Sequence, residues 1–334
     1  MQAGTAHQPL PPFKPALGLR NAHLQTILAK YLAPRRPLHT RIEILQLPDR
    51  DELQLNWSLD AEDCSKPLVI LLHGLEGNIN SHYVRGMFHS LQQQGFGVVL
   101  MHFRGCNGVA NKLPRAYHSG DTADFALFLQ QCRQRYPARR LMAIGFSLGG
   151  NVLVKYCGES GSQNLLSAAV AVCAPLALAP SSDRINQGFS KVYQRYLLGR
   201  LKGTMQRKLA AHADFPLPIS ASDIRNIRSI RQFDNCLTAP LHGFRDAEHY
   251  YQSCSGLNFL PAVQCPLLLI HAQDDPFLAA AVIPKHLPPH VQLHLSRHGG
   301  HVGFLSGTPW RPEYWLEQVI PQWLGTKSTQ QEQI

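Results

Sequence analysis

The sequence has no Cys-x-x-Cys pair, although eight cysteines stand at 64, 106, 132, 157, 173, 236, 254 and 265. That absence argues against a zinc ribbon or a thioredoxin-type redox motif. Cys173 and Cys265 lie in or beside apolar runs and read as packed thiols. No apolar run reaches the roughly 20 residues a membrane span needs; the longest, such as 167–180, are broken by Pro or small polar residues. The opening MQAGTAHQPLPPFKP has no apolar core of the signal-peptide kind. A reducing, cytoplasmic setting is therefore expected. Acidic residues are short: 22 Asp and Glu face 32 Lys and Arg, a formal net charge of +10 in 334 residues. A basic balance raises the question of nucleic acid or a membrane surface. No nucleic-acid motif or basic-aromatic stripe accompanies it, so nucleic acid is not an expected partner. Hydrophobic residues at 44% exclude a disordered chain.

What is present has a clear order. Residues 1–38 are Pro-rich and basic and read as an arm, with one helix-compatible stretch at 22–32. Two alternating stretches, 41–47 and 52–57, flank a Pro-Asp-Arg-Asp turn and predict an antiparallel hairpin. Continuous apolar runs follow at 68–72, 98–101, 141–144, 168–172, 267–270 and 291–295. Such runs suit parallel strands covered on both faces. Helical stretches are expected at 81–94, 119–135, 149–157, 279–286 and 313–323, so the class is α/β with a mostly parallel central sheet. Residues 173–266 interrupt the alternation and far exceed the dozen or so that a parallel crossover needs. The expected organisation is an arm (1–38), a core (39–174 and 262–325), a helical cap inserted after the sixth strand (175–261) and a tail (326–334).

Gly145-Phe146-Ser147-Leu148-Gly149 fits Gly-x-Ser-x-Gly between an apolar run and a helical stretch. A Ser that projects from a tight strand-to-helix turn needs glycine on either side, and the helix start offers N–H groups to a developing oxyanion. His73-Gly74-Leu75-Glu76-Gly77 closes the run 68–72 and can turn a second N–H toward the same point. The two donors are assigned to Leu75 and Leu148. His73 reads as a structural turn residue and Glu76 as a solvated loop carboxylate. A neutral Ser hydroxyl also needs a base, and the base an orienting acid. Asp274 and Asp275 follow the run 267–270, and His298 and His301 follow the last run. Asp275, at the loop apex before Pro276, is preferred to Asp274. His301, beyond the hinge Gly299-Gly300, is preferred to His298.

Taken with Asn21-Ala-His-Leu-Gln-Thr26, His102-Phe-Arg-Gly-Cys106, Tyr117-His-Ser-Gly-Asp121, Asp274-Asp-Pro-Phe277 and His298-Gly-Gly-His-Val-Gly-Phe304, these motifs resemble the α/β-hydrolase superfamily. More narrowly, they resemble the YheT-type hydrolases, bacterial relatives of the mammalian α/β-hydrolase domain proteins 1, 2 and 3. The resemblance covers nearly the whole chain. It implies the α/β-hydrolase fold, a charge relay on Ser147, Asp275 and His301, and serine carboxylic-ester hydrolysis extending to acylglycerols and phospholipids. It implies no metal or cofactor. The mammalian relatives carry an N-terminal membrane anchor that is not seen here. None of the 17 His has Asp five positions later, so the acyltransferase signature of some relatives is missing. Thioester hydrolysis on the same residues and a silent binding protein of the same fold are the competing readings.

Arg104 ends the run 98–101 and is a candidate substrate contact, against the plainer role of a loop-organising Arg paired with a carboxylate. Asp121 and Asp124 read as first-turn charges complementing a helix dipole. Tyr193, Tyr196, Leu197 and Leu198 form a stripe at helical spacing in the cap. The basic surplus has an address: between 183 and 231, ten Lys or Arg face three Asp. That segment is either a solvated helical surface or a lid that leans on anionic lipid or draws in acidic substrates.

Overall fold

The computed structural model describes residues 9–34, 36–212, 217, 219–308 and 310–329. Parts of the expected arm (1–8 and 35), cap (213–216 and 218) and tail (330–334) lie outside the described residues. Eight strands form one sheet in the order β1-β2-β4-β3-β5-β6-β7-β8. β1 (Thr40–Gln46) and β2 (Glu52–Ser58) make the antiparallel hairpin, and β2 pairs antiparallel with β4 (Gly97–Met101). β3 (Leu68–Leu72), β4, β5 (Leu141–Phe146), β6 (Ala168–Val172), β7 (Leu267–Ala272) and β8 (Val291–Ser296) run parallel. Every residue of β3 to β7 is buried, as continuous apolar strands between helical layers require.

The helices that precede the cap are α1 (Ala22–Leu32), α2 (His82–Gln93), α3 (Ala123–Arg135) and α4 (Leu148–Ser160). The cap adds α5 (Leu178–Ile185), α6 (Ser190–Ala211), α7 (Ala221–Asn226), α8 (Ile230–Phe233), α9 (Ala239–Leu241) and α10 (Ala247–Cys254). One π-helical turn spans Asp234–Thr238. Part of the cap builds its own small core from Leu198, Leu201, Met205, Ile224, Ile227, Phe233 and Leu237. A long helix, α11 (Trp315–Thr329), closes the fold. No helix among the described residues is long and apolar enough to cross a membrane.

Two expectations along the chain need correction. The helix expected at 279–286 is a single 3-10 turn, Ala280–Val282. Pro284, and then Pro288 and Pro289, cannot donate to a helical ladder and stop it there. A short hairpin, β9 (Leu305–Thr308) with β10 (Arg311–Tyr314), was not anticipated. Its strands are four residues each and only Leu305 is buried, so they carry no apolar run to read.

The chain leaves β3 toward β4 on one side and comes back to place β5 on the other. The carboxyl ends of β3 and β5 therefore diverge at a topological switch point, where open α/β sheets form a ligand crevice. Leu72 is in register with Gly145, which brings the His73-Gly74-Leu75 turn beside Ser147.

Candidate active site

Ser147 sits between β5 and α4 at φ 52, ψ −119, a sparsely populated conformation for a non-glycine residue. The glycines around it make that turn feasible. A Cβ at Gly145 would stand 2.3 Å from the Gly149 carbonyl oxygen, and one at Gly149 would stand 2.6 Å from those of Leu72 and His73. The Ser147 N–H donates to the Val172 carbonyl at 2.8 Å, fixing the elbow to β6.

The loops after β7 and β8 bring two more groups to the Ser. His301 Nε2 lies 3.0 Å from Ser147 Oγ, and His301 Nδ1 lies 2.8 Å from Asp275 Oδ2. The carboxylate fixes the tautomer: Nδ1–H donates to Asp275, leaving Nε2 to accept from the Ser hydroxyl. The other oxygen of Asp275 accepts the Phe277 N–H at 2.8 Å, and the Phe277 ring stacks on His301 with centroids 4.0 Å apart. The alternatives Asp274 and His298 form a separate pair at 3.3 Å, and Asp274 also accepts the Gly300 N–H. Neither meets Ser147. Cys173 lies behind the relay, accepts the Val302 N–H at 3.4 Å, and has its thiol pushed well up by burial. The N–H groups of Leu75 and Leu148 have no acceptor among the described residues, and both residues line the cavity at Ser147.

His73 is buried and donates from Nδ1 to the Gly74 carbonyl, while its Nε2 accepts the Phe103 N–H. Burial pushes its pKa down to about 3, so it stays neutral and organises the turn. Glu76 is not the solvated carboxylate expected. It is 7% exposed, accepts from Tyr117 Oη at 3.0 Å and Thr204 Oγ1 at 2.6 Å, and its carbonyl accepts from Arg200. The turn at His73–Gly77 is thus bonded to α6 of the cap. Sequence alone could not show this, because Thr204 and Arg200 lie more than 120 positions away.

Arg104 lines the chamber at Ser147, but its guanidinium is committed to carboxylates. Its guanidinium takes Asp124 through two nitrogens at 2.7 Å and meets Asp51 at 2.9 Å and Asp49 at 2.8 Å. A side chain 2% exposed can keep its charge there only because these carboxylates compensate it. Asp124 does sit in the first turn of α3, but its carboxylate is committed to Arg104; Asp121 precedes the helix and pairs with Arg115. The cap stripe splits: Tyr193 packs on Phe277 and Leu198 joins the cap core, while Leu197 faces the cleft and Tyr196 is half exposed at its rim.

Sequence reasoning missed how the arm holds the His301 loop. Thr26 Oγ1 accepts the His301 N–H at 2.9 Å. Gln25, fully buried, accepts the Leu305 N–H and donates to the carbonyls of Leu19 and Leu305. Gly300 and Gly303 admit α1: a Cβ at either would stand 2.5 Å from a carbonyl oxygen of Ala22 or Gln25. The only signal was the Asn21–Thr26 motif itself, which carried the resemblance but no role.

Two cavities meet at Ser147. A chamber of about 150 Å³ under the cap is lined by Leu178, Ile185, Leu201, Met205, Phe233 and Leu237 among others. An open trough of about 750 Å³ runs the other way, past Asn78, Asn80, Lys30, Arg85 and Arg200. Leu75, Ser147, Leu197, Phe277 and His301 belong to both.

A sheet of this topology, with Ser on the elbow and Asp and His on later loops, defines an α/β hydrolase, and residues 67–308 match the model of the α/β-hydrolase fold family. The chain belongs to that family, within it to the esterase and lipase type. It is 44% identical to YheT of Escherichia coli (strain K12) over 94% of this chain and 93% of that protein. It is 32% identical to a monoacylglycerol lipase of Saccharomyces cerevisiae over 75% of this chain and 58% of the lipase. Phospholipase ABHD3 of Mus musculus is 28% identical over 90% of this chain and 75% of that protein. Among solved structures, the Pyrococcus furiosus esterase Pf2001 has the same fold, with TM-score 0.54 and 18% identity over 86% of this chain and 92% of that one.

Proposed function

We propose that the protein hydrolyses carboxylic esters through an acyl-enzyme, with Ser147 as nucleophile, His301 as base and Asp275 as its orienting acid. The observation that carries the reading is the relay Asp275–His301–Ser147, at 2.8 and 3.0 Å, beside two N–H groups with no acceptor among the described residues. The ester carbonyl enters at Ser147 with its oxygen on the N–H groups of Leu75 and Leu148. Ser147 Oγ attacks the carbonyl carbon while its proton passes to His301 Nε2. Asp275 stabilises the imidazolium. The C–O bond to the alcohol breaks as His301 returns the proton to the leaving oxygen. Water then attacks the acyl-enzyme, its proton passing to His301 and on to Ser147 as the acid departs.

The acyl group goes to the chamber. Each methylene moved from water to an apolar wall is worth about 0.8 kcal/mol, and the chamber is the apolar arm of the cleft. Lipid esters, acylglycerols among them, fit that division, and the names of the yeast and mouse relatives point the same way. The test uses p-nitrophenyl esters of increasing chain length beside a monoacylglycerol, with a fluorophosphonate label. Ser147→Ala should lower kcat by about a millionfold and abolish labelling. Labelling that survives the substitution overturns the assignment.

A further inference from the structure

The trough carries charge that the hydrolytic step does not use. Lys30 from α1, Arg85 from α2 and Arg200 from α6 all line it. Among the described residues none of the three has a carboxylate within 4 Å. Their bonds are to neutral oxygens. Lys30 Nζ reaches the Tyr196 hydroxyl at 3.4 Å and lies 5.1 Å from the ring centroid, Arg85 donates to the Arg36 carbonyl, and Arg200 to the Glu76 carbonyl at 2.9 Å. Among the described residues the one carboxylate lining the trough is Glu76, and its two oxygens are taken by Tyr117 and Thr204. Three elements far apart in sequence thus converge on a cleft that is net positive and open to water.

An ester held at Ser147 sends its acyl group one way and its alcohol the other. With the chamber apolar, the alcohol lies in the trough, beside these cations. We propose that the trough is the leaving-group subsite and takes an alcohol bearing a phosphate, as in an acylated glycerol phosphate. The inference rests on the direction of the acyl chain argued above. Phosphate suits the site because its several oxygens can accept from guanidinium forks and an ammonium at once. The anion is read one molecule at a time inside the cleft. A membrane contact through the outer face of the cap would require an assembled surface instead.

The first experiment compares kcat/KM for a hexanoyl ester of glycerol 3-phosphate with that for monohexanoylglycerol, both monodisperse, at low and high salt. The wild-type protein should prefer the phosphate ester, and the preference should shrink as salt rises. In Lys30→Gln/Arg85→Gln the ratio should fall by about tenfold for each cation removed, the effect of one charge-assisted contact. A wild-type preference for the neutral ester, a ratio unchanged in the variant, or a preference seen only on anionic vesicles overturns the proposal. A second measurement needs no turnover. Titration calorimetry of glycerol 3-phosphate into Ser147→Ala should show binding that disappears when Lys30→Gln/Arg85→Gln is added. Equal binding in both proteins overturns the subsite while leaving the ester-hydrolase reading intact. Surviving fluorophosphonate labelling of Ser147→Ala would do the reverse.

Discussion

In the sheet layer, Arg104 lies 2% exposed among Asp49, Asp51 and Asp124. In the cap, Arg231 pairs with Asp183 and Glu248, each partner at least 37% exposed. The two arginines show how differently the regions are built. The sheet layer shuts water out, so its charges must be matched within it and its strands are buried end to end. The cap stays wet: α6 buries seven of its 22 residues and leaves Lys191, Arg195 and Arg200 at the surface. The sheet layer positions Ser147, Asp275 and His301, and the cap walls the chamber beside them.

The comparison can be broken most directly through these charges. Arg104→Leu leaves the buried carboxylates of Asp51 and Asp124 without the guanidinium and should cost about 3–5 kcal/mol, whereas Arg231→Leu should cost less than about 1 kcal/mol. Denaturant unfolding of both variants measures this. Similar losses would mean that the cap is as dry as the sheet layer. A smaller effect is expected at the seam. Thr204→Val removes a bond from α6 to Glu76 and should loosen the turn that presents the Leu75 N–H. We expect kcat to fall by about tenfold, less than the hundred- to thousandfold loss of a whole oxyanion donor. An unchanged kcat would show that cap and turn act independently.

The smallest effect concerns acid. Burial pushes His271 of β7 down to about 4, and His73 and His102 to about 3 and 4. Below about pH 6.5 the unfolded chain takes up protons that these folded imidazoles refuse. Their contribution to stability is therefore present above pH 6.5 and is lost as pH falls toward 4. His271→Leu should remove about 1 kcal/mol of the loss between pH 6.5 and 5.5, read from unfolding midpoints at the two pH values. A variant with the wild-type slope would place the acid sensitivity elsewhere, in the cap or its seam.

Most of the fold was legible because strands buried on both faces must be apolar throughout. The runs 68–72 and 168–172 coincide with β3 and β6, and the stretch 22–32 with α1. The helix expected at 279–286 stops short because Pro284 stands inside it and Pro288 and Pro289 follow. The loops around the reacting residues were legible as chemistry: glycine on either side of a Ser, an Asp before a Pro, a His beyond a Gly-Gly hinge. Their partners were not. Arg104 could have faced substrate or carboxylate, and Glu76 could have been solvated, on the same local sequence.

The sequence by itself determined the strand-forming runs, the tight turn at Ser147, and the chain order of Ser, Asp and His, because each depends on sterics and hydrophobicity within a few residues. The sequence preferred Asp275 and His301 to Asp274 and His298, and the tertiary structure sets His301 on Ser147 and Asp275 on His301 while the other two pair apart. The tertiary structure alone decided that α1 clamps the His301 loop, that Glu76 bonds the cap, and that Lys30, Arg85 and Arg200 share one trough. Those outcomes depend on how twisted strands cross at the switch point and on which loops their ends bring into contact. No spacing along the chain encodes that geometry.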